Sequence, residues 1–161
     1  MVWKKVIEET IEYYNQKISG LEKQVKETRE SAAKSPGSMQ SWSDKSKQEF
    51  SQLADSLSKN LQPLKNSVKK ISEILTTKKN SIGNQVVIGS IVKTKESGED
   101  SNEYLLIVPG VGGDQIKVDE IEYFLLSENS NLAKELLVKK LNSKIVLKSG
   151  IEISIVEIIN S

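Results

Sequence analysis

Up to about residue 76 the apolar positions recur every three or four residues, and from about residue 85 they alternate. The first rhythm is helical and the second is that of strands. One helical stripe runs Trp3, Ile7, Ile11, Tyr14, Ile18, Leu21, Val25, Thr28, Ala32; another runs Ser46, Phe50, Leu53, Leu57, Leu61, Leu64, Val68, Ile71, Leu75. Paired end to end, as Trp3 with Leu75, Ile7 with Ile71, Val25 with Leu53 or Thr28 with Phe50, the numbers sum to 78 or 79. Only two antiparallel helices sharing an apolar seam give a constant sum, so residues 1–80 are expected to form a coiled-coil hairpin. Its tip falls at about residues 35–43, at the end of a rod roughly 45–50 Å long at about 1.5 Å per residue.

The punctuation fits this reading. Ser35-Pro36-Gly37 stops the first helix, because proline disfavours helix in the residue before it and glycine accepts turn angles. Ser43 or Asp44 is a candidate cap for the second helix. Pro63 stands inside that helix, where it predicts a bend and not an end. The seam thins toward the tip, with Thr28, Ala32 and Ser46 replacing larger apolar residues, so local opening is expected there first. Met39 and Trp42 lie where little core exists to bury them. Either they fold back over the last layer, or they form an exposed apolar tip that enters a partner's cavity.

Residues 81–161 predict a small α+β domain. Strands are expected at Val86–Lys95, Glu103–Val108 and Ile121–Leu126, a short helix at Asn131–Lys139, and a closing hairpin of Lys144–Leu147 with Glu152–Ile158 about Ser149-Gly150. Glu96 to Asn102 and Pro109 to Gly113 read as turns.

Composition narrows the chemistry. The 161 residues include no cysteine and no histidine, which excludes disulfides, thiolate or imidazole metal sites and nucleophile–histidine pairs. No apolar run approaches the length of a membrane span, and Lys4, Lys5, Glu8 and Glu9 interrupt anything like a signal peptide, so a cytoplasmic protein without a membrane partner is expected. The net charge of +1 divides into about +5 for residues 1–80 and −4 for residues 81–161. A basic rod and an acidic globule suit a partner with patches of both signs, although ordinary solvated surfaces give the same totals. Gly110-Val111-Gly112-Gly113 lacks the Gly-Lys-Ser/Thr continuation and helix of a phosphate loop. Glu96, Glu99, Asp100 and Glu103 lack calcium-loop spacing. No pair of acids is tied together as a general acid and base, so the chain is not expected to be an enzyme by itself.

The long hairpin followed by a small α+β domain resembles the Gre family of bacterial transcription elongation (transcript-cleavage) factors, GreA/GreB-like, over nearly the whole chain. Three segments carry the resemblance: Val87-Ile88-Gly89-Ser90-Ile91-Val92; Ser130-Asn131-Leu132-Ala133-Lys134-Glu135-Leu136-Leu137-Val138-Lys139, similar to the family's Ser-Pro-hydrophobic-Gly-x-Ala-Leu-Leu-Gly-Lys; and Ile151 to Ile158. Asn131, Ala133 and Val138 replace the proline and both glycines of that segment.

The resemblance implies an FKBP-like C-terminal domain at 81–161 that docks on RNA polymerase, with Ser130, Asn131 and Leu132 as docking residues, while the hairpin enters the secondary channel. It implies a regulator of transcription elongation in a DNA-binding, cytoplasmic setting, acting as a monomer. Nascent RNA is a further contact for Lys23, Lys26 and Arg29, whose alternative reading is a solvated face. Ser130 or Asn131 equally reads as a helix cap and Leu132 as core. In cleavage-active members tip carboxylates help hold a second magnesium at the polymerase active centre, which needs hard oxygen ligands.

Here the tip residues are Met39, Trp42, Ser43, Asp44, Ser46, Lys47 and Glu49. Neither alignment with the family's Asp-x-x-Glu-Asn-Ala-Glu-Tyr motif provides a carboxylate pair. One register puts Ser43 and Ser46 at the acidic positions, and the other puts Lys47 at one of them. The chain is therefore expected to need no cofactor of its own, with Asp44 the one candidate ligand for a magnesium ion shared with polymerase. Cleavage stimulation is expected to be weak or absent. The alternatives are a true cleavage factor working through Asp44 and a structural coiled-coil adaptor that does not act on polymerase.

Overall fold

The computed structural model describes residues 1–34, 40–77 and 84–160, the side chains of residues 40–44 excepted. Two long helices, α1 (Val2–Lys34) and α2 (Gln40–Thr76), pack as a hairpin and precede a six-stranded mixed sheet. The helix α2 continues through Pro63, as expected. It begins at Gln40, before Ser43 and Asp44, which corrects their reading as caps. The run from Gln40 to Asp44 contains no proline or glycine to hold it out of the helix, so the first turn extends back toward Gly37.

The chain packs as two compact units, residues 14–66 and residues 1–13 with 67–161. Secondary structure changes in the interval 77–90, near the expected division at 80, whereas packing assigns the proximal turns of both helices to the unit that holds the sheet.

In the sheet-containing unit the strands are β1 (Ile91–Glu96), β2 (Asn102–Val108), β3 (Gln115–Val118), β4 (Ile121–Ser127), β5 (Lys144–Val146) and β6 (Glu152–Ile159), with α3 (Asn131–Leu136) between β4 and β5. Their order across the sheet is β3-β4-β2-β1-β6-β5, with β2 and β4 parallel and every other pair antiparallel. Four consecutive buried residues, Leu105 to Val108, show that β2 is covered on both faces. Leu105 and Ile107 join Val92, Ile153, Ile155 and the α3 residues Ala133 and Leu136 in one core. Alternation turns Leu106 and Val108 to the opposite face.

Side chains from the helix bases tie into this unit. Trp3, buried, donates from Nε1 to the Gly89 carbonyl at 2.7 Å. Gly89 has φ +94°, and a Cβ there would lie 2.8 Å from Ile74 Cγ2, so both backbone angle and space require glycine. Buried Ser67 accepts from the Val111 N–H at 2.9 Å. This positions the turn after β2 against α2. Lys5 pairs with Asp119, and that hydrogen bond, partly opposed by desolvation, holds the Lys5 ammonium above its ordinary pKa. Tyr123 is buried, and desolvation raises its phenol above the usual value.

Trp3 and Ile74 both lie against Gly89, and their numbers sum to 77, close to the expected register. In the distal unit Lys65 Nζ lies 2.6 Å from Glu22 Oε1, an exposed ion pair made between the two helices by long side chains. Ala54 is buried there, while Phe50 and Leu53, expected in the seam, are 37% and 50% exposed. The apolar pattern therefore does not by itself bury the tip-side positions of the seam.

Three local expectations are also corrected. Residues 86–90 form a turn and not the start of a strand: Gly89 is left-handed, and Ser90 Oγ accepts from the Val87 N–H at 2.8 Å. Strand β3 was not expected, since its four residues offer only Ile116 and Val118 as an alternating pair. The helix α3 ends at Leu136, three residues early, because Leu137 leaves helical geometry and Val138 has φ +62°.

Candidate functional site

The hairpin's distal end is built on the start of α2. Met39 lies outside the described residues, and the side chains of Trp42, Ser43 and Asp44 do too, although the backbone of these three is helical. Ser46 is half-buried, and Lys45, Lys47 and Glu49 are exposed. From Gln48 to Leu53 every residue is exposed, so this stretch of α2 presents all its faces. From Lys45 to Leu53 the described charges are two ammonium groups, Lys45 and Lys47, and one carboxylate, Glu49.

Lys45 and Lys47 oppose a divalent cation beside this stretch, and the side chain of Asp44, the candidate magnesium ligand, lies outside the described residues. Among the described residues no cluster of three or more carboxylates is placed to hold a metal.

The predicted docking residues fall at the start of α3. Ser130 has extended backbone (φ −67°, ψ 153°) and its Oγ accepts from the Ala133 N–H at 3.1 Å, the geometry of an N-cap. Asn131 is exposed at the first helical position. Leu132 is half-buried against the core that contains Ala133 and Leu136. The three are contiguous: Ser130 caps the helix, Leu132 packs on the core, and Asn131 is exposed. On the stem, Lys23 lies 3.8 Å from Glu27 and Lys26 4.0 Å from Glu30, pairs one helical turn apart, and Arg29 is exposed. Such exposed pairs contribute little to stability and form a solvated face of mixed charge. Glu96, Glu99, Asp100 and Glu103 are exposed about the turn between β1 and β2, where Lys95 approaches Asp100 at 3.8 Å.

Two features were missed from the sequence. Ser67 lies beside the apolar stripe, not on it, and only the approach of Gly110 and Val111 reveals its purpose. Val138 looks like a late helical apolar residue, yet its left-handed backbone turns the chain toward Val86, whose carbonyl accepts from the Val138 N–H at 2.9 Å. Its replacement of a glycine in the resembling segment was the available signal.

Among the described residues no helix is long and apolar enough to cross a membrane. No known protein family matches the chain, and no curated protein does. Solved structures similar to it include GreA factor homolog 1 (Gfh1) of Thermus thermophilus, at 16% identity, with 98% of this chain and 94% of that one covered and a TM-score of 0.37. Gfh1 of Thermus aquaticus is 13% identical over 96% of this chain and 92% of that one, with a TM-score of 0.36. A further structure of the transcription factor Gfh1 is 16% identical over 96% and 92%, with a TM-score of 0.35. At this distance the likeness extends along the chain, and no residue's role is transferred by it.

Proposed function

We propose that this chain is a Gre-like regulator of transcription elongation. It binds RNA polymerase through its sheet-containing unit, places the hairpin in the secondary channel, and acts there by contact or occlusion with little or no stimulation of transcript cleavage. It is an accessory factor in this reading, working through the polymerase active centre. The observation that carries the proposal is the distal part of α2, where residues 48–53 are exposed on all faces and the described charges from Lys45 to Leu53 are Lys45, Lys47 and Glu49. A tip of that kind can fill a cavity and touch its walls, but it is poorly suited to recruiting a cation. The sequence segments that resemble the Gre family supply the choice of partner.

The test is binding followed by substitution. Purified protein is expected to co-purify with the polymerase of its source at low salt, and the double variant Asp44→Asn, Glu49→Gln is expected to bind equally and leave any RNA cleavage by the complex unchanged. Loss of cleavage in that variant would instead establish the Asp44-based cleavage factor. Failure to bind polymerase would favour the adaptor, for which one observation speaks: Phe50 and Leu53 stand exposed three residues apart on α2, as a partner coiled coil would require.

A further inference from the structure

The sheet-containing unit carries a valine in a left-handed conformation that the fold leaves largely exposed. Val138 has φ +62°, a left-handed conformation that a β-branched residue adopts only under constraint, and it is 73% exposed. Glycine would serve this turn without strain. Burial within the chain does not offset the cost of valine here. Segments 85–88 and 137–140 run side by side: Gln85 bridges Lys140, the Val86 N–H donates to the Lys139 carbonyl, and the Val138 N–H donates to the Val86 carbonyl. This register sets Val87, 45% exposed, across from Val138, with Ile88, also exposed, beside it. The result is an aliphatic patch fixed by backbone hydrogen bonds.

Its surroundings are basic within an acidic domain. Of the eight lysines of residues 81–161, five lie at 134, 139, 140, 144 and 148, and Glu135 is the single acid from 134 to 148. Lys134, Lys139 and Lys140 are exposed, whereas Lys144 is paired with Glu152. Aliphatic side chains offer no platform for stacking bases, so the patch does not suit single-stranded nucleic acid. It suits a protein surface on which an aliphatic strip is flanked by carboxylates.

We infer that Val138, Val87 and Ile88, rimmed by Lys134, Lys139 and Lys140, form a docking surface for an acidic amphipathic protein segment. The surface lies beyond the start of α3, is distinct from Ser130, Asn131 and Leu132, and does not depend on the partner's being a polymerase. Covering Val138 gives its side chain the burial that the isolated chain withholds.

The test titrates the full ¹⁵N-labelled chain with a designed helical peptide that has leucine at one seam and glutamate elsewhere. The controls are the same peptide with lysine for glutamate and a uridine oligonucleotide. Saturable shifts are expected at residues 86–88 and 134–140 with the acidic peptide alone. Val138→Gly, which fits the left-handed turn and so keeps the fold, is expected to weaken binding by about tenfold, the factor that burying a valine side chain is worth. No saturable shifts, shifts centred elsewhere, equal binding of the lysine peptide or the oligonucleotide, or unchanged affinity in Val138→Gly would each overturn the inference.

Discussion

The sheet-containing unit and the distal hairpin are held together in different ways. In the first, β2 is covered on both faces, and specific bonds such as Trp3 to Gly89 and Ser67 to Val111 add direction to apolar burial. In the second, the buried side chains reduce to a narrow row that includes Tyr14, Ile18, Val25, Ala54 and Leu64, and α2 beyond Ala54 is almost wholly exposed. A two-helix seam shields little surface per residue, so its outer turns are expected to open well below the free energy of global unfolding. The sheet-containing unit is thus fixed by directed bonds, and the outer hairpin by a sparse apolar row.

The largest test of this contrast is Trp3→Ala. It deletes a buried indole and the hydrogen bond to the Gly89 carbonyl, and it is expected to cost about 3–5 kcal/mol in urea unfolding. Next is Gly20→Ala in the distal unit. A Cβ at Gly20 would meet nothing within 4 Å, so the change is expected to stabilise the hairpin by up to about 1 kcal/mol and slow amide exchange around it.

A smaller effect is expected at high pH. Burial raises the Tyr123 phenol in the folded state above its unfolded value of 10.0. The unfolded chain then loses that proton first. Its contribution is therefore complete below pH 10 and is lost as pH rises through the folded pKa. Tyr123→Phe is expected to flatten that alkaline decline in urea melts across this range. The smallest effect belongs to Leu53→Ala. At 50% exposure this seam-pattern leucine is expected to cost under about 0.5 kcal/mol, and a loss of 2 kcal/mol or more would restore it to a buried seam and erase the contrast.

Which parts were legible from sequence follows from the same physics. The two heptad stripes announced the hairpin because long periodic patterns average over local exceptions, and Ser149-Gly150 marked the last turn, where Gly150 has φ +85°. The apolar run Val86-Val87-Ile88 reads as strand by composition, but Gly89 and the Ser90 hydroxyl turn it back. Strand β3 has too few residues for a periodic signal and forms by pairing with β4, a contact distant from any local pattern. At the tip the sequence supplies the residue types, Lys45, Ser46, Lys47 and Glu49, and the structure adds that Lys45, Lys47 and Glu49 are exposed.

The most direct measurement follows RNA length in backtracked elongation complexes of the cognate polymerase, supplied with magnesium and the purified protein. The account predicts RNA of unchanged length together with slowed or altered extension. Shortening from the 3′ side that disappears with Asp44→Asn would contradict it, and would assign the tip an acid-based role in cleavage.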